Sequence, residues 1–167
     1  MLSIEDLINT LDLKPHPEGG YYKETYRSVD QIPNDVLSNA FNSDRAVSTC
    51  IYFLLTSKNF SAFHRINQDE IWHHYYGAAI KIHMITEDGE YSSVVIGKDF
   101  HNAEIPQYVV KAKTWFAAEI PTNDNFALVG CTVAPGFDFE DFQLPSREFL
   151  TELFPKHQAI IERLTNS

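Results

Sequence analysis

From Val47 to Val133 the chain runs through STCIYFLL, SAFHRI, EIWHHYY, AIKIHMI, YSSVVIG, QYVVKA, TWFAAEI and FALVGCTVA. These short stretches are rich in β-branched and aromatic residues, and turn signals break them at intervals of roughly 8 to 12 residues. Strands do not alternate with helices, which argues against a doubly wound α/β fold. The pattern predicts an all-β jelly roll or small barrel. Asp88-Gly89, between IHMITE and EYSSVVI, marks one hairpin directly.

The ends read differently. Ser3 followed by Asp6, with Ile4, Leu7, Ile8 and Leu11 at helical spacing, predicts a short helix over about 3–13. HPEGG is a turn into a strand YYKETYR at 21–27, and the Gly19-Gly20 pair permits positive φ and close backbone approach. Residues 28–44, rich in Asn, Asp and Ser, predict a loop long enough to act as a lid. Ser146 and Pro155 start helices that carry the tail to about residue 165. A barrel over about 20–142, flanked by these helices, makes one domain of the 167 residues.

A formal net charge of −10, without a basic cluster, argues against nucleic acid and anionic membrane as partners. The acidic, amphipathic start MLSIEDLINTLDL does not read as an export signal, so a cytoplasmic protein is expected. Cys50 and Cys131 sit in apolar strand-like runs and read as reduced core residues.

The chemistry concentrates in AFHRINQDEIWHHYYG, residues 62–77. With period two, Glu70, Trp72, His74 and Tyr76 share one strand face, and Ile71, His73 and Tyr75 the other. A face carrying Glu, Trp, His and Tyr is an expensive core lining unless its polar groups are paired. It therefore lies outside or lines a cavity. His73, Tyr75, His83 and His101 are expected at exposed or satisfied positions, and His16 and His157 in structural or solvated ones.

His64, Ile66, Glu70 and Gly77 follow the spacing of the first cupin motif, with Ile66 where its second histidine stands. The second motif falls on KAKTWFAAEI, with Lys113 at its glycine and Phe116 at its histidine. HPEGGYYKETYR, DEIWHHYYG, TWFAAE and GCTVAPGFDFEDFQL together resemble an uncharacterised branch of the cupin superfamily, structurally akin to dTDP-sugar epimerases.

That resemblance implies a double-stranded β-helix barrel, a homodimer, and a pocket for a small polar metabolite such as a sugar or nucleotide-sugar. Two enzyme readings follow. In a metal-independent epimerase or isomerase, His64 would be the base, oriented by Glu70, Asp138 or Asp141, with Tyr76 or Tyr22 as acid and His74 beside them. In a metallo-cupin, a divalent metal would take His64, Glu70 and His74. No cofactor is otherwise expected. A third reading is a non-catalytic binder with aromatic walls from Trp72, Trp115 and Phe116, oriented by His64, Glu70 and Lys81. Tyr22, Glu24 and Asp141 complete the candidate pocket residues.

Overall fold

In the computed structural model, residues 3–123 and 125–166 are described. Helix α1 (Ile4–Leu11) opens with the expected capping box: Ser3 Oγ accepts from Asp6 N–H, and the Asp6 carboxylate from Ser3 N–H, both at 3.0 Å. Its apolar face packs on Leu13 and Leu54. The C-terminal helices α2 (Arg147–Leu153) and α3 (Gln158–Arg163) bury Leu150 and Ile161 on the opposite side of the molecule.

Between these helical covers lie two antiparallel sheets. Strands β1 (Lys14–Pro15), β2 (Tyr21–Arg27), β5 (Thr49–Thr56), β12 (Phe126–Ala134), β7 (Asp69–Gly77) and β10 (Gln107–Val110) form one, in that spatial order. The other runs β6 (Ser61–His64), β11 (Trp115–Glu119), β8 (Ile80–Ile85), β9 (Tyr91–Ile96). The β8–β9 hairpin turns through Asp88-Gly89, where φ at Gly89 is +84°. The segment expected as a loop instead includes a small ribbon, β3 (Gln31–Ile32) with β4 (Arg45–Ala46), and a turn of 3-10 helix at Asn34–Val36. The crossing order, with sequence-distant strands adjacent, makes this the expected jelly-roll barrel.

The sheets face each other across an apolar interior of Phe53, Leu55, Trp72, Ile82, Phe116 and Val129 with their neighbours. Successive side chains on a strand point opposite ways. Phe116 therefore faces this interior, whereas Trp115 faces out beneath α2 and α3, beside Phe63 and Phe154. Two irregularities break that rule where it matters. Opposite β5, β2 shifts register between Glu24 and Tyr26, which brings Glu24 and Arg27 to the same side. Opposite β12, the pairing steps from His74–Val129 to Tyr76–Leu128, leaving Tyr75 without a partner and turning Tyr76 outward.

Candidate functional site

One end of the barrel holds a cavity of about 390 Å³ between the two sheets. Strand β6 supplies His64, β7 supplies Glu70, and the turn before β2 supplies Glu18 and His16. The chain after β12 returns across the opening with Phe137, Asp138, Phe139 and Phe142. It is stitched to the end of β6 by two backbone hydrogen bonds between Arg65 and Gln143, each 3.0 Å.

Glu18 reaches the site because of the glycines that follow it. At Gly19, φ is +113° and a Cβ would collide with the Phe60 carbonyl oxygen; Gly20, at +73°, presses on Leu54 in the same way. The turn thus lies flat against β6. Glu18 accepts from Ala62 N–H through its carbonyl (2.8 Å), from Ser61 Oγ through Oε1 (2.8 Å) and from His64 Nε2 through Oε2 (2.9 Å).

The other ring nitrogen of His64, Nδ1, donates to Ala62 carbonyl oxygen at 2.7 Å. Both partners only accept, so both nitrogens carry protons. Burial works against the charged imidazole, but the Glu18 carboxylate, with help from Glu70 and the Ala62 carbonyl, raises its pKa. Burial likewise pushes against ionised Glu18. The His64 cation, with the Ser61 hydroxyl, outweighs that push and holds the Glu18 carboxyl below its usual range. His64 and Glu18 are thus a buried ion pair.

Glu70 is nine-tenths buried beside the Cys131 thiol and the Trp72 indole. Burial lifts its carboxyl to about 7, although His64 pulls the other way; the Glu18 carboxylate adds to the rise. The same burial, reinforced by Glu70, takes the Cys131 thiol well above its ordinary value. His16 accepts from Glu18 N–H at Nδ1 (3.2 Å), and burial lowers its pKa, so its imidazole is neutral.

The donor set does not fit a resident metal. His64 offers no free lone pair, and Ile66 lines the cavity where the cupin motif has its second histidine. Among the described residues, no group of three or more His, Cys, Asp or Glu side chains is arranged to hold a metal ion.

Residues 5–145 match the profile of the Cupin superfamily, DUF985. The chain belongs to that family. It is 36% identical over 148 residues to the uncharacterized protein YML079W of Saccharomyces cerevisiae, covering 83% of this chain and 73% of the yeast protein. Protein SO0799 from Shewanella oneidensis superimposes with a TM-score of 0.90 at 36% identity, over 99% of both chains. A hypothetical protein from Leishmania major does so with a TM-score of 0.90 at 33% identity, again over 99% of both. Among the described residues of this cupin, no helix is long and apolar enough to cross a membrane.

Of the residues the sequence points to, His64, Glu70, Tyr22, Glu24 and Asp138 stand in the cavity wall. Trp72 lies behind it, edge-on to Phe53 at 5.8 Å and Phe116 at 6.2 Å; Phe116 in turn backs the His64 ring at 4.1 Å. The structure places the rest elsewhere. His74 is buried beyond Trp72, its Nε2 bonded to Ala78 carbonyl oxygen at 2.8 Å. It cannot share a ligand sphere with His64. Tyr76 is 46% exposed on the outer face because of the bulge. Lys81, between buried Ile80 and Ile82, faces away from the interior. Trp115 lies under the terminal helices with the Arg65 guanidinium 4.4 Å above its ring.

Asp141 is 3% exposed and closes a bidentate pair with Arg45, two bonds of 2.8 Å, while accepting from Gln68 Nε2 at 2.7 Å. It anchors the segment that carries the rim phenylalanines instead of lining the cavity. His16, expected in a structural or solvated position, is in the wall and accepts the Glu18 backbone N–H, and Arg27 joins it. The HPEGG turn held the signal for His16 and Glu18; nothing local marks the bulge that turns Arg27 inward.

Proposed function

We propose that this cupin is a metal-independent isomerase or epimerase of a small, carbonyl-bearing polar metabolite of the sugar type, with Glu70 as the proton carrier. One observation carries the reading: a nine-tenths buried carboxyl held near 7 in the cavity wall, beside a buried imidazolium. A group whose pKa lies near the working pH is suited to take and return a proton. His64 is not suited to that step, because neither of its nitrogens is free. Its charge favours ionised Glu70 and any enolate that forms nearby.

In the step, ionised Glu70 takes the proton from the carbon next to the carbonyl, and the C–H electron pair moves into the enolate. If the hydroxyl on the deprotonated carbon passes its proton to the enolate oxygen and becomes the new carbonyl, return of the Glu70 proton to the former carbonyl carbon gives an isomer. Return from the opposite face by the Tyr22 hydroxyl, which lines the cavity, gives an epimer. A non-catalytic binder is the second reading, favoured by the full hydrogen-bonding of the Glu18–His64 pair.

Solvent exchange separates the two. Free hexoses and pentoses incubated with the protein in D2O are followed by NMR for deuterium at the carbon next to the carbonyl. Exchange that rises through about pH 7 and disappears in Glu70→Gln is expected. Ligand binding in the cavity with no exchange at any pH would leave the binder.

A further inference from the structure

The charges facing the cavity do not balance. Its cations are Arg27 and His64; its carboxylates are Glu18, Glu24, Glu70 and Asp138. Each cation is already taken. Arg27 donates Nε and Nη2 to the two Glu24 oxygens at 2.9 and 2.7 Å, and Nη2 also to Phe137 carbonyl oxygen at 3.0 Å. His64 is committed to Glu18. His16 is neutral, and among the described residues no lysine lines the wall. An incoming phosphate or carboxylate meets no unpaired donor cation, and it faces Glu70 and Asp138 in a partly desolvated space where like charges repel strongly.

The rest of the wall is apolar and ring-shaped. Phe139 stands edge-on to Phe137 at 5.0 Å and to Phe142 at 5.9 Å, and Tyr22, Phe53 and Ile51 continue the surface inward. Such walls accept the face of a ring, whether aromatic or the C–H face of a sugar.

We propose that the cavity takes neutral or cationic ring-bearing metabolites, such as a free sugar or an amino sugar, and rejects phosphorylated or carboxylated ones, nucleotide-sugars included. The inference rests on the cavity being the ligand site proposed above, and narrows its ligand class.

Two charge-graded series test it, read by ligand-observed NMR titration of the purified protein: glucosamine, glucose and glucuronate with UDP-glucose, and tryptamine, tryptophol and indole-3-acetate. Within whichever series binds, the cation or neutral member is expected to bind at least about tenfold more tightly than the anion. In Glu24→Gln, which releases the exposed Arg27 guanidinium, the anion is expected to gain about tenfold. An anion that binds wild-type protein as tightly as its neutral counterpart overturns the charge selection and leaves the cavity reading standing. No anion gain in Glu24→Gln overturns the claim that pairing silences Arg27. If no member of either series binds at millimolar concentration, the reading of the cavity as a site for small ring-bearing metabolites fails with it.

Discussion

Glu70 and His74 sit on the same inward face of β7, about 13 Å apart along the strand, and have different surroundings. Glu70 looks into the cavity beside a charged imidazole; His74, past the Trp72 ring, is packed away with its Nε2 on a backbone carbonyl and its Nδ1 without a partner among the described residues. The strand offers both polar groups identically. What distinguishes them is the opposing structure. At the Glu70 end the turn 16–20 and the rim 137–142 stand off and leave a space, whereas at the His74 end Ala78 closes on the ring. A buried polar side chain becomes reactive where it faces a void and a charge, and structural where it faces a carbonyl.

Removing the partner at the cavity end should have the largest effect. His64→Ala leaves Glu18 buried and uncompensated, and a loss of about 3–5 kcal/mol in urea unfolding at neutral pH is expected. The depressed Glu18 carboxyl contributes stability above its unfolded pKa and loses it as pH falls through its folded value. The raised His64 contributes below its unfolded pKa and loses it as pH rises through its folded one. The difference between wild type and variant should therefore shrink in acid and again in alkali.

Glu70→Gln comes next, with the opposite sign. Between the ordinary carboxyl value of 4.5 and about 7, the native state holds a proton that the unfolded chain has lost, so wild-type stability falls as pH rises. The variant should gain up to about 3 kcal/mol over wild type at pH 8 and little at pH 4, checked by denaturant unfolding at both. The same change should abolish any proton exchange. A variant no more stable at high pH would mean that burial does not raise the Glu70 carboxyl in the wild-type fold, and would erase its contrast with His74.

The smallest effects belong beyond Trp72. His74→Ala orphans the Ala78 carbonyl and should lose about 1–3 kcal/mol, while leaving ligand binding in the cavity unchanged. Tyr76→Ala, on the outer face, should stay within about 0.5 kcal/mol. A His74→Ala protein that folds but no longer binds ligand would place His74 in the site after all.

Much of this arrangement was legible in the residues. The capped first helix, strand 21–27, the Asp88-Gly89 hairpin and the common face of Glu70, Trp72 and His74 all follow from periodicity and turn chemistry within a few neighbours. Strict alternation also separates Trp115 from Phe116, since adjacent strand residues cannot both face the interior, and it sends Lys81 outward between Ile80 and Ile82. Alternation misleads at Tyr76, where one bulge cancels it. It misleads in the same way at Arg27.

The pairs that give the site its chemistry were not legible. Glu18 meets His64, and Arg45 meets Asp141, across long stretches of chain. The epimerase resemblance proposed Glu70, Asp138 or Asp141 as partner for the histidine, and each is a carboxylate as plausible on paper as Glu18. Local patterns fix which way a side chain points and which segments become strands, because those depend on neighbours two to four residues away. Which carboxylate reaches which base depends on how two sheets pack, where a bulge falls and how two glycines flatten a turn. Burial then sets the charge state, by taking Glu70 out of water while leaving His64 a counter-ion, and that exists only once the barrel has closed.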